Sequence, residues 1–275
     1  MTYHPRVAVK RRDMLVGLGG AVVGAGAGVG EETARAAIAR GDTSHLPFYG
    51  GYASAIRPDL TKPSAPSLDV HWRADRTDRA LALTFDDGPA PEWTPLVLAA
   101  LDAEDVPGTF FCQGVNVARH GSIHRDSPGR HELGNHSWDH PDLARLDLGA
   151  ATDQLHRTSE AMHTAFGAAP TLFRPPYGHV SGAALLAAAQ ARLTTVFWSA
   201  QMREDQFVSR PAGIVDYAAS VVHPGAVVLF HDVGSSVRRV AIDNLRGIIG
   251  RLRDEGYTFH TVSDLLSGAH PQPRS

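Results

Sequence analysis

The stretch Ala80-Leu81-Ala82-Leu83-Thr84-Phe85-Asp86-Asp87-Gly88-Pro89 decides how the rest of the chain is read. Its first part is an apolar run that fits a buried strand. Gly88-Pro89 then stops regular structure. Two adjacent carboxylates therefore stand where a buried strand ends and the backbone turns. Neighbouring side chains on a strand point to opposite faces, so Asp86 and Asp87 share a pocket only if the backbone bends, and the Gly-Pro supplies the bend. Two carboxylates forced together do not both ionise freely unless a cation lies between them. In isolation the same residues also read as a strand followed by an Asp-Gly turn with solvated acids.

Outward from this stretch, short apolar runs alternate with helical patterns from Val70 onward. Strands are expected at 80–85, 109–112, 132–135, 172–174, 194–198, 226–230 and 257–260. Leu148, Leu155, Met162 and Phe166 keep a helical stripe, and 183–192 and 240–254 are further helices. The polar segment 120–130 ends in Pro128-Gly129 and supports only a weak helix. This alternation, with no second texture, predicts an α/β fold: a distorted, incomplete (β/α) barrel of about seven parallel strands. In such folds the working residues collect at the carboxyl ends of strands.

The chain has 275 residues and a mass of 29.4 kDa, enough for one α/β barrel or two small domains. Its net charge of -3, without a basic patch or an acidic tail, argues against a nucleic-acid partner. Lys10-Arg11-Arg12 followed by a weakly apolar, Gly-rich stretch reads as a twin-arginine-type signal peptide over residues 1–30. An uncleaved membrane anchor is the alternative. The expected consequences are passage through the twin-arginine export machinery and an extracellular or cell-wall location. Residues 31–75 read as an N-terminal segment and linker, with a short helix possible at 31–40, 76–268 as the folded domain and 269–275 as a tail. Cys112, the sole cysteine, lies in an apolar run and is expected in the core, so no internal disulfide forms. A monomer is expected.

Three further segments carry chemistry. Asn135-His136-Ser137-Trp138-Asp139-His140 places two imidazoles four residues apart, so one helical turn would set both rings on one face. Two imidazoles and a carboxylate with open positions form a divalent-metal arrangement. Phe173-Arg174-Pro175-Pro176-Tyr177-Gly178 is a stiffened loop whose Arg174 is shaped to hold a carboxylate through two hydrogen bonds. Val227-Val228-Leu229-Phe230-His231-Asp232 delivers a histidine to a strand exit, where it can act as a general acid. Alone, the first also reads as surface or core histidines, the second as a rigid surface turn with a solvated Arg174, and the third as a histidine capping a strand beside a turn residue, Asp232.

Together, in order, Thr-Phe-Asp-Asp-Gly-Pro, Gly-Asn-His-Ser-x-x-His-Pro-Asp-Leu, Arg-Pro-Pro-Tyr-Gly and Leu-x-His-Asp resemble the polysaccharide deacetylases. These are carbohydrate esterase family 4, the NodB homology domain. The resemblance runs from about Ala80 to Leu266. It implies that Asp87, His136 and His140 ligate a divalent metal, with Zn2+ the default and Co2+, Ni2+, Mn2+ or Fe2+ also accommodated. It implies Asp86 as the base for the attacking water, Arg174 as its holder, and the Tyr177 backbone N–H as an oxyanion donor. It gives His231 the role of acid for the leaving group. Leu229, Pro175 and Trp198 would line the substrate site, and Ser137 would pin the histidine loop.

One motif departs from the family. After the strand containing Trp198 an Asp-Trp pair is usual, whereas this chain has Ser199-Ala200-Gln201-Met202-Arg203-Glu204-Asp205-Gln206. Asp205 would fill the acidic role, or Glu204 in another register, with Gln206 where the aromatic belongs. The implied reaction is removal of N-acetyl groups from N-acetylglucosamine residues of an acetylated glycan, peptidoglycan or chitin oligomers. O-acetyl ester cleavage on xylan and a secreted glycan-binding protein with a decayed site are the alternatives.

Overall fold

The computed structural model describes residues 68–125 and 131–268; the expected signal, most of the linker and the tail lie outside them. Its elements, in chain order, are β1 (Val70–His71), β2 (Ala80–Asp86), α1 (Thr94–Ala103), β3 (Thr109–Cys112), α2 (Gly114–His120), α3 (Ser122–Arg125) and β4 (Glu132–Asn135). They continue with α4 (Leu148–Phe166), β5 (Leu172–Phe173), α5 (Gly182–Gln190), β6 (Thr194–Val196), β7 (Ala200–Gln201) and α6 (Gly213–Val221). The last are β8 (Ala226–His231), α7 (Arg239–Asp243), α8 (Leu245–Asp254), β9 (Thr258–His260) and α9 (Val262–Ser267).

All named strands pair in parallel, in the order β1-β6-β5-β4-β3-β2-β8-β7, with β9 beside the first half of β2. β2 is buried at every position, as its apolar run demands, and it is the hub. It pairs with β8 from Leu81↔Ala226 to Asp86↔His231 and with β3 from Thr84↔Thr109 to Asp86↔Phe111. The extended chain after β6 bends and re-pairs: the Ser199 amide donates to the Val227 carbonyl, and β7 then runs beside β8. This brings the two ends of the strand order together and gives the distorted, incomplete barrel expected from the sequence. Phe111, Leu172, Val196 and Val227 fill its interior, and a larger apolar layer under the helices includes Phe85, Phe110, Phe230, Ile248 and Leu252.

All seven expected strands are present, within two residues at each end. β1 and β7 are additions of two residues each, too short to carry a periodic signal. β1 falls in the stretch read as linker. The stripe from Leu148 to Phe166 forms α4, started by the Asp147 side chain accepting from the Ala150 amide and ended by Gly167 at φ 78°. The expected helix at 240–254 is split at Asn244, whose side-chain amide donates to the Val240 carbonyl, into α7 and α8. Cys112 is buried, as expected.

Candidate metal centre

The carboxyl ends of β2, β4, β5 and β8 open into a pocket of about 540 Å³ lined by Asp86, Asp87, His136, His140, Tyr177, Trp198, Leu229 and His231, among others. The parallel register explains the gathering. Asp86 is the pairing partner of His231 and Thr84 that of Leu229, and the strand period turns all four side chains to one face. Asp87 would then face away, but its backbone adopts φ 83°. The bend expected from Gly88-Pro89 is thus made one residue earlier, by Asp87 itself. This left-handed conformation is costly for a side chain with a Cβ, and such strain concentrates at functional sites.

The turn brings Asp87 Oδ1 to 3.5 Å from His136 Nε2 and 3.2 Å from His140 Nε2. One ligand atom from each residue lies within 4.8 Å of the others. The two histidines do not sit on a helical turn, as their spacing suggests. They lie in an irregular loop in which Ser137 and His140 have φ of 65° and 63°. Side chains hold that loop: the Ser137 amide donates to Asn135 Oδ1 at 2.8 Å, and the His140 amide donates to Ser137 Oγ at 3.2 Å. Ser137 therefore occupies the pinning position expected of it. His136 Nδ1 lies 2.7 Å from the Arg174 carbonyl, which accepts its N–H and turns the Nε2 lone pair to the centre. This tautomer, two converging imidazoles and a carboxylate fit a zinc-like divalent ion with positions left for water and substrate.

Burial alone would raise the Asp87 carboxyl, but the hydrogen bond and charge of His136, with His231 and His140, hold it well below the usual carboxylate range. Gln113 Nε2 donates to its Oδ1 at 3.0 Å and Arg238 Nη1 to its Oδ2 at 2.8 Å, while Asn116 Nδ2 donates to its main-chain oxygen at 2.8 Å. None of these three belongs to the motifs singled out from the sequence, and only the fold brings them to Asp87.

Asp86 is 3% exposed and Arg174 is fully buried. Arg174 reaches Asp86 with one hydrogen bond, Nη1 to Oδ1 at 2.8 Å, rather than the expected two. Its other donors go to Thr84 Oγ1 at 2.7 Å, the Val196 carbonyl at 3.1 Å and the Phe197 carbonyl at 2.9 Å. Arg174 thereby locks three strands together and leaves Asp86 Oδ2 free of it.

Tyr177 has φ 59°, and its backbone N–H takes no partner among the described residues. Its ring meets His140 edge-on at 4.5 Å. Trp198 lines the pocket, held by its indole N–H donating to Gln201 Oε1 at 2.9 Å. Leu229 also lines the pocket, whereas Pro175, expected to line it, is buried and is not among its lining residues. His231 is pushed down to about 4 by burial, with Asp86 opposing the shift and Arg238 adding to it. Asp205 and Gln206 are at the rim, exposed on the short 3-10 helix Glu204–Phe207, and no hydrogen bond or ion pair joins Asp205 to His231. Next to His231, Asp232 is fully buried and pushed up to about 7 by its burial. It accepts from the Gly88 amide at 2.9 Å and from Thr94 Oγ1 at 2.6 Å, anchoring the chain just past Asp87. These two buried hydrogen bonds make it a structural pin rather than a solvated turn residue. A Cβ on Gly88 would run into its carboxylate.

The family model for polysaccharide deacetylases matches residues 73–196. A peptidoglycan-N-acetylglucosamine deacetylase of Listeria monocytogenes is 34% identical over 192 residues, which cover 69% of this chain but only 39% of the relative. A chitooligosaccharide deacetylase of Bradyrhizobium sp. is 34% identical over 201 residues, 68% of this chain and 90% of the relative. Among solved structures, the Bc1960 peptidoglycan N-acetylglucosamine deacetylase aligns with a TM-score of 0.69 at 30% identity, over 73% of this chain and 94% of the neighbour.

Proposed function

The chain belongs to the polysaccharide deacetylase family, and from that premise we propose that it is a metal-dependent hydrolase removing N-acetyl groups from N-acetylglucosamine residues of peptidoglycan or chitin oligomers. The observation that carries this reading is the convergence of Asp87, His136 and His140 beside an Asp86 held separately by Arg174. The relatives named for peptidoglycan support a wall-associated site of action, reached by the export route suggested by Lys10-Arg11-Arg12.

A divalent ion held by Asp87, His136 and His140 would polarise the acetyl carbonyl and make water a competent nucleophile near neutral pH. The chain's own residues supply the rest. Asp86, with Oδ1 committed to Arg174, presents Oδ2 to take the proton of the attacking water. The unpartnered Tyr177 N–H donates to the developing oxyanion, a contribution typically of about 3 kcal/mol. Leu229 and Trp198 close around the acetyl methyl. His231 stands on the β8 side, where the leaving amine needs a proton. With its ring pushed down to about 4 it rests neutral at pH 7, so it gains that proton during turnover.

The test is acetate release from N-acetylglucosamine oligomers, peptidoglycan and acetylxylan with defined divalent ions. Release from the first two, lost on chelation, is expected. Release from acetylxylan alone would transfer the site to ester chemistry, and tight glycan binding without release under any ion would mark a decayed site.

A further inference from the structure

Arg238 is a cation inside a site built to hold a cation. Its Nη1 donates to Asp87 Oδ2 at 2.8 Å and to the Val233 carbonyl at 2.9 Å. The side chain is 32% exposed while that of Asp87 is 10% exposed, so the pair is largely shielded. The placement is built rather than incidental. Gly234 takes φ 135°, and a Cβ there would come within 2.7 Å of Arg238 Cδ and 2.9 Å of Nη1. The missing side chain is what lets the arginine fold back over the turn towards Asp87. Arg238 also exerts its charge on Glu204, His140 and His231.

Residues behind a ligating histidine are ordinarily acceptors that increase its basicity. A guanidinium on the second oxygen of a ligating carboxylate does the reverse. It stabilises the free carboxylate and repels an incoming dication. We propose that Arg238 is a resident counter-cation of the metal centre: it keeps Asp87 oriented and neutralised while the ion is away, and it holds the affinity for the ion down. The inference rests on the metal-dependent reading given above. Arg238 is thus a positioning residue that makes the site reloadable.

Two effects of removing it have opposite signs. Loss of positioning typically weakens metal binding by about 10- to 100-fold. Loss of a like charge a few ångströms away, at an effective dielectric near 20, strengthens it by about tenfold or more even after partial solvent screening. The Asp87 carboxylate keeps the Gln113 donor on Oδ1 and its main chain keeps Asn116, so only part of the orientation is lost and the charge effect wins.

The experiment is Zn2+ and Co2+ affinity, by competition with a chromophoric chelator, for wild type, Arg238→Met, Arg238→Gln and Arg238→Lys. Met and Gln are expected to bind at least about tenfold tighter, and Lys within about threefold of wild type. Metal-free Met and Gln variants should melt below metal-free wild type and show the larger rise on loading. Gln keeps a donor for Asp87 and the Val233 carbonyl, so it serves if Met fails to fold. Unchanged or weaker binding in Met and Gln overturns the counter-cation role while leaving the metal reading intact. No binding by any of the four proteins, wild type included, overturns both.

Discussion

Asp86→Asn separates the base from the metal ligand beside it. The change keeps shape and an acceptor but removes the charge and the proton affinity. Loss of a positioned general base typically costs 10²- to 10⁴-fold in rate, and Asn cannot replace it. A stability cost accompanies it, because Arg174 is fully buried and Asp86 is its one charged partner among the described residues. Breaking a buried pair outright costs about 3–5 kcal/mol. Here three of the four guanidinium hydrogen bonds, to Thr84, Val196 and Phe197, remain, and the Asn oxygen preserves the fourth. The expected loss is therefore smaller, about 2 kcal/mol. Acetate release, metal content of the purified protein and urea unfolding at pH 7 measure the three quantities. A variant that keeps its metal, loses at least about 100-fold in kcat and unfolds at lower urea supports the assignment. Turnover within tenfold of wild type, or loss of the metal together with activity, refutes the division of labour between the two aspartates.

Asp87→Ala and His136→Ala should lose bound metal and activity together, measured as metal content after gel filtration, because each removes a ligand from a three-residue set. Thr94→Val should strip a hydroxyl from buried Asp232, destabilise by about 1–3 kcal/mol and loosen the turn after Asp87, read as lower kcat and a lower urea midpoint. His124 is buried against Phe110 and Phe166, both ring nitrogens lack a hydrogen-bond partner among the described residues, and burial pushes it down to about 3. The unfolded ring titrates near 6.5, so the stability tied to this neutral ring is full above that pH and is lost as pH falls towards 3. His124→Phe should flatten that acid slope and be more stable than wild type at pH 5 by about 1 kcal/mol or more, by urea unfolding at pH 7.5 and 5. An unchanged slope would show that His124 does not carry it.

The sequence made the strands legible because their apolar runs are separated by clear turn residues. It made the grouping of the candidate ligands legible because each motif follows a strand whose exit the barrel must share. What it hid depends on backbone conformation and on long-range approach. The left-handed turn at Asp87 carries no glycine to announce it, and the histidine loop imitates a helical spacing while folding through two positive-φ residues. Arg174 looked like a two-point clamp because that is what guanidinium does best in solution. Its burial between strands instead spends the other donors on backbone carbonyls and a hydroxyl. Gln113, Asn116 and Arg238 are unremarkable polar residues until α2 and the loop after β8 bring them to one carboxylate.

The two sides of the pocket therefore differ in kind. On the β2 and β4 side, Asp86, Asp87 and His136 each have a hydrogen-bond partner, and His140 lies beside Asp87. The β8 side combines a histidine held neutral at pH 7 with an arginine that lowers it further, and the acidic residues of 204–205 are not hydrogen-bonded to it. An imidazole whose burial outweighs the opposing charges of Asp86 and Asp87 is a weak acceptor at rest and a strong acid once charged. It can give its proton up readily but gains one only when negative charge has built up nearby. The Asp86–His231 register places the proposed base and the proposed acid on adjacent strands at one level, so a proton taken from water on one side would have a short path to the other. On this argument the departure at Gln201–Gln206 does not empty the acid position. In the proposed reaction, protonation of the leaving group would then depend on the base having already acted, which would couple the two proton transfers more tightly than a permanently charged histidine would.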